Sequence, residues 1–227
     1  CEGNLTTAFT DINKLVIVLI IAGGLFAGQF IAMGICPALL KKYNRKTVYN
    51  LFSGLSAVPM ALIFVVYLID PTGLDKLHWV IVEGVLLLGA GAGLGGSSVC
   101  QSVMISDCID YEEYHHGFRP DGVFFSGQSF ITKFQSGIAS IVSAYVYAAV
   151  GYTDVNIASM NAALENGANF AADYPDYAKA MWLLISVPPA IGMIISIIPT
   201  LKYELDKKTH DNILAALVEK HSDGEDV

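Results

Sequence analysis

Residues 106 to 122 read SDCIDYEEYHHGFRPDG, a stretch dense in side chains that can do chemistry. Asp107, Asp110, Glu112, Glu113 and Asp121 supply carboxylates, His115 and His116 imidazoles, and Arg119 a guanidinium. Two chemistries use such a set. Histidines and carboxylates that converge from fixed positions bind a metal ion. Opposite charges facing one another instead form ion pairs that hold helix ends together. The first reading makes residues 107–116 the centre of a membrane-embedded, metal-dependent enzyme. It needs a converging shell, yet the adjacent His115 and His116 point different ways on any regular backbone, and His78, His210 and His221 lie elsewhere in the chain. The second asks less: Asp107 and Asp110, spaced i, i+3, share one helix face, and Arg119 follows closely enough to return to them.

Lys133, in SFITKFQSG, is the other chemically pointed residue. Ser126, Ser129, Lys133, Ser136, Ser140, Ser143 and Tyr147 recur at steps of three and four, which puts them on one stripe of a helix. Phe125, Ile131, Ile138 and Val142 fall opposite. A polar stripe with an amine at its centre reads as the wall of a water-filled cavity, the alternative being a lysine paired within a bundle. Glu83, about one turn inside the third apolar block, reads as structural or interfacial.

The elements that carry these residues are long and oily. The 227 residues are 54% hydrophobic and 15% charged, against about 25% charged in soluble domains. Apolar blocks run approximately over 15–40, 48–69, 79–105, 123–151 and 180–201, each near the roughly 20 residues that cross a bilayer as a helix. Runs such as LVIVLIIAGGLF do not alternate as barrel strands do, so the expected class is an all-α membrane bundle with five spans. Residues 202–227 form a tail with a short amphipathic helix. Lysine and arginine are concentrated in KKYNRK, at Arg119 and in the tail; by the positive-inside bias these face the cytoplasm and the C-terminus lies inside. An odd number of spans then places the start outside. With Cys1 first and no leader pattern, the chain reads as the C-terminal portion of a longer protein. The net charge of −8 argues against a nucleic-acid partner.

GAGLGG, Gly91 to Gly96, matches a dinucleotide fingerprint but lies inside an apolar block, not between a strand and a helix. It reads as close helix packing: Gly89, Gly93, Ser97 and Gln101 follow at i+4 steps, and Gly24-x-x-x-Gly28 supports the same contact.

The segment MISDCIDYEEYHHGFRPDGVFFSGQSFITKFQSGIAS resembles the loop between helices ten and eleven, and helix eleven itself, of the glycoside–pentoside–hexuronide:cation symporters, a branch of the major facilitator superfamily. Met104, Asp107, Asp110, Tyr111, Glu113, Arg119 and Lys133 fall in register with that pattern. The resemblance implies helices eight to twelve of a twelve-helix carrier in the cell membrane. Such a carrier moves a sugar or glycoside with Na+ or H+ by alternating access, is no enzyme and has no resident cofactor. It further implies that Lys133 serves substrate and coupling, that Gln128, Ser129 and Thr132 face the sugar, and that Asp107, Asp110 and Arg119 close the cytoplasmic mouth. The cation would be bound mainly by the N-terminal half, which is missing here, so the expected partners are that half, the sugar and the lipid bilayer.

Overall fold

The computed structural model describes residues 12–74, 76–166, 169–203, 205 and 207–222; Cys1 lies outside them. Eight helices account for nearly all of this: α1 Ile12–Lys42, α2 Arg45–Ile69, α3 Leu77–His116, α4 Asp121–Ala149, α5 Asp154–Glu165, α6 Phe170–Asp173, α7 Pro175–Thr200 and α8 Lys207–Ser222. No strand occurs among the described residues. Four helices, α1, α2, α3 and α7, are long and apolar enough to cross a membrane. A fifth span exists if α4 is taken together with residues Asp154–Leu164 of α5, to which it is bent by 71°.

Glycine decides which helices touch. On α3, Gly84 meets Ile20 of α1, while Gly91 and Gly95 lie against the backbone carbonyls of Leu25 and Gln29. From α1, Gly24 and Gly28 return the contact against the carbonyls of Gly84 and Leu88. A side chain at Gly24, Gly28, Gly91 or Gly95 would occupy space already filled by backbone, so only glycine allows the approach there. A different face of α3 presents Gly89 to Pro59, Gly93 to the backbone of Phe52 and Ser56, and Gly96 to the Phe52 ring, all on α2. Ser97 continues that face, its hydroxyl 3.5 Å from that of Ser53. The expected stripe of Gly89, Gly93 and Ser97 is thus a helix contact, although Gln101 at its end is exposed. α3 becomes the central helix, with α1 and α2 on separate faces and α7 beyond α2.

Two apolar clusters fill the seams. Ala32, Cys36, Val48, Phe52 and Cys100 pack in one. Met60, Ile63, Ala90 and Ala190 pack in the other, with Trp182 and Leu87 against them. Cys36 and Cys100 are free thiols, their sulfurs 3.4 Å apart.

The acidic stretch expected as a loop after residue 105 is helical through His116. It contains no glycine or proline, so nothing breaks the helix before Gly117, which caps it at φ 75° and donates to the Glu113 carbonyl. Only residues 117–120 connect α3 to α4. At 40 residues, α3 is about 60 Å long, twice the roughly 30 Å of hydrocarbon in a bilayer. Its acidic end therefore extends beyond the apolar zone. The connection expected after residue 151 likewise contains helices, α5 and α6.

α4 differs from its neighbours: no described residue on it is buried. It is held at its ends, by Arg119 on one side and on the other by the Tyr177 hydroxyl donating to the Gly151 carbonyl at 3.0 Å. Tyr147, Tyr152, Tyr174 and Tyr177 cluster around that second anchor, with ring centroids 5.4 to 6.1 Å apart.

Candidate functional site

The helical course of residues 106–116 sets the geometry of the charged end. Asp107, Asp110 and Glu113, three residues apart, fall along one side of α3. Asp107 is only 2% exposed. It is neutralised from α2, where Arg45 Nε lies 2.6 Å from Asp107 Oδ2 and Nη2 donates to Oδ1 at 3.3 Å. Arg45 can sit there because it opens α2 just after the turn at Asn44.

His210 of α8 joins the two aspartates. Arg45 Nη2 lies 3.0 Å from His210 Nδ1. A guanidinium has only donors, so Nδ1 accepts and the ring hydrogen sits on Nε2. That Nε2 is 3.1 Å from Asp110 Oδ2 and 3.2 Å from Asp107 Oδ1. Beside this group the Tyr203 hydroxyl is buried, and burial, with the charge of Asp107, pushes its phenol up.

Arg119 closes the outer edge of the network. Its Nη1 donates to Glu113 at 2.7 Å and to Asp110 at 3.0 Å, and its Nε donates to Asp121 at 3.0 Å. The hydrogen bond it donates to Glu113 raises its guanidinium above the ordinary value. Arg119 thus returns to α3 as expected, but to Asp110 and Glu113; Asp107 is occupied by Arg45 and His210 instead. One connected network results, Arg119–Asp110–His210–Asp107–Arg45, linking α2, α3, α8 and the turn before α4.

The histidines that suggested a metal are engaged separately. His116 Nδ1 lies 2.8 Å from Glu112, and His115 Nδ1 lies 2.9 Å from its own helix's Tyr111 carbonyl, its ring stacked on that tyrosine. No group of three or more metal-ligating side chains converges among the described residues.

Lys133 and its stripe lie apart from this network. Lys133, Ser129 and Thr132 are exposed, and Gln128 is half-buried. Lys133 sits twelve residues into α4, or about 18 Å along its axis. The hydroxyls beside it are satisfied within the helix: Thr132 donates to the Gln128 carbonyl at 2.8 Å, Ser136 to that of Thr132 at 3.0 Å, and Ser140 to that of Ser136 at 2.9 Å. The described helices of this chain place no enclosing wall over the stripe.

The sequence reading assigned no site role to Arg45 or His210. Arg45 counted only as one charge of KKYNRK, since nothing local ties it to a residue 62 positions away. For His210 a signal existed: His210, Ile213 and Leu217 are the buried residues of α8, at helical spacing. A histidine on the apolar stripe of an amphipathic tail helix is a docked residue.

A bundle of long apolar helices with a charged network at one end suits a transporter, and comparison with known proteins narrows the choice. The sequence model of the MFS/sugar transport protein family matches residues 12–207. The chain belongs to that family. A curated member-like relative is the isoprimeverose transporter of Lactiplantibacillus pentosus, 31% identical over 130 residues, which are 57% of this chain and 24% of the relative. The chain therefore spans about a quarter of the length of that relative. No solved structure matches. Membership in a sugar-transport family gives the metalloenzyme alternative no support.

Proposed function

We propose that this chain works as the C-terminal portion of a sugar:cation symporter and contributes one wall of its sugar pathway, the Lys133 stripe, together with a gate at its cytoplasmic end. The family match over residues 12–207 carries this reading. The relative's substrate, isoprimeverose, suggests a small xylose-containing glycoside as the first substrate to try.

In this reading the charged end faces the cytoplasm, in keeping with the lysine and arginine bias. Gln128, Ser129 and Thr132 line the sugar's path in the intact carrier. Lys133 faces the carboxylates that bind Na+ or H+ in the N-terminal half and shapes their field, so that cation and sugar binding assist each other. A midplane amine is costly on insertion, by at least about 2.5 kcal/mol, and a helix that only filled space would gain nothing from it. Asp107, Asp110 and Arg119 act as the gate with Arg45 and His210. Pairs whose arginine is half-exposed, such as those of Arg119, are each worth about 1 kcal/mol, weak enough to release. The buried Arg45–Asp107 pair is the fixed side on which they close.

The test is uptake of a xylose-containing disaccharide by membrane vesicles holding the intact carrier. Accumulation is expected when a Na+ or H+ gradient is imposed and not in its absence. Uptake that only equilibrates under both gradients would leave a sugar carrier without coupling, and no uptake of any glycoside would overturn the reading.

A further inference from the structure

Glu83 is a buried carboxyl among the described residues that neither the stripe nor the gate uses. The sequence placed it near an interface with water in reach, but it is 3% exposed, and its Oε1 has no hydrogen-bond partner. Position 83 shares a face of α3 with Leu87 and Ala90, the face that packs on Met60 and Ile63 of α2 and Ala190 of α7. Val80, one turn earlier, is fully buried. The depth is modest: Glu83 lies four residues beyond Trp79, or about 6 Å along the axis.

The charged and titratable groups described at this end of the bundle, the Lys14 side chain lying outside them, form their bonds elsewhere. On α2, Tyr67 is buried and stacks with Trp182 at 5.9 Å. Asp70 receives Lys76 at 2.8 Å and the Trp79 indole at 3.2 Å. His78 packs on Trp79. Asp176 and Lys179 open α7, and α1 carries no charged residue between Leu15 and Leu40. None of these is bonded to Glu83.

An ionised carboxylate in an apolar seam without a partner is strongly disfavoured relative to the neutral acid. Sodium would require several oxygen ligands, and among the described residues no polar group is hydrogen-bonded to Glu83 that could join it in a shell. A proton requires one oxygen. We propose that Glu83 is a proton-binding site of the transport cycle, holding its hydrogen while α3 is sealed against α2 and α7 and giving it up when that seam is wetted. On opening, the carboxyl O–H breaks and entering water takes the proton; on resealing, a proton from water returns to the carboxylate. The idea rests on the transport reading and sharpens it, naming H+ as a coupled ion and adding a carboxyl of this half to those expected in the other.

The experiment uses the intact carrier reconstituted in lipid, with infrared spectroscopy and sugar flux as separate readouts. At neutral pH the wild-type protein is expected to show a protonated-carboxyl band that Glu83→Gln lacks. A wild-type spectrum with no such difference means that Glu83 is ionised and overturns the proposal, whether or not any sugar is moved. In flux, Glu83→Gln is expected to lower accumulation of the disaccharide under a pH gradient by about tenfold while equilibrium exchange continues. Glu83→Leu, which fills the same apolar seam, is expected to behave alike. Wild-type accumulation under a pH gradient in either variant overturns the coupling role. If the wild type exchanges no glycoside at all, the transport reading fails, and the infrared band still decides whether Glu83 holds a proton.

Discussion

α3 and α4 both carry rows of glycine and serine, and the two helices use them in opposite ways. On α3 the small residues are covered: Gly91 and Gly95 admit the backbone of α1, and Gly93 and Gly96 admit α2. On α4 nothing lies within 4 Å of where a side chain on Gly127 or Gly137 would begin, and the hydroxyls turn back on their own helix. A small-residue stripe therefore says that something approaches closely, without saying whether it is a neighbouring helix or a polar ligand. The central charge separates the cases. α3 is charge-free from Gly84 through Ser106, whereas α4 places Lys133 near its middle.

Substitutions at matched positions test this contrast most strongly. A buried change that leaves an uncompensated charge should cost most: Arg45→Ala strands Asp107, with an expected loss of about 3 kcal/mol. Adding Asp107→Asn should restore part of that loss, measured by unfolding in detergent. Equal losses in the single and double variants would show that Arg45 acts through packing alone. Next, Gly91→Leu should push α1 off α3 and cost about 1–3 kcal/mol, while Gly127→Leu on α4 should leave unfolding nearly unchanged. If Gly127→Leu proved as damaging as Gly91→Leu, α4 would be a packed helix like the rest.

The ends of the bundle give smaller effects. Arg119→Ala removes exposed pairs and should change stability by about 1 kcal/mol or less, yet it should make the inner cavity of the intact carrier more reactive toward a thiol reagent. Unchanged labelling would argue against a gate. At the opposite end, the hydrogen bond from Lys76 holds the Asp70 carboxyl below its ordinary value. Its contribution is present above the usual carboxylate range and fades as the pH falls through the lowered value. Asp70→Asn should therefore slightly flatten the loss of stability in acid, read from the unfolding midpoint across pH.

Much of this was legible in the sequence, for reasons that α3 makes plain. Apolar runs of bilayer length define the spans, and glycines at i+4 spacing define the α2-facing side of α3. The acidic segment is harder to read, because polarity alone does not distinguish a loop from a helix that continues into water until a glycine stops it. Pairing across distant segments was also hidden. Asp107 and Asp110 were visible as a pair by their spacing, but Arg45 and His210 meet them only because α2 and α8 fold onto that end. The burial of Glu83 depends on how α2 and α7 pack over α3, which spacing within one helix does not reveal.

The central claim is that α4 serves transport without serving the packing of this chain. Lys133→Ala in the intact carrier, measured for disaccharide accumulation under a cation gradient and for thermal unfolding in parallel, tests it most directly. The expected result is loss of gradient-driven accumulation with an unfolding curve like that of the wild type. Accumulation that survives intact, or a carrier that unfolds without the lysine, would contradict the account.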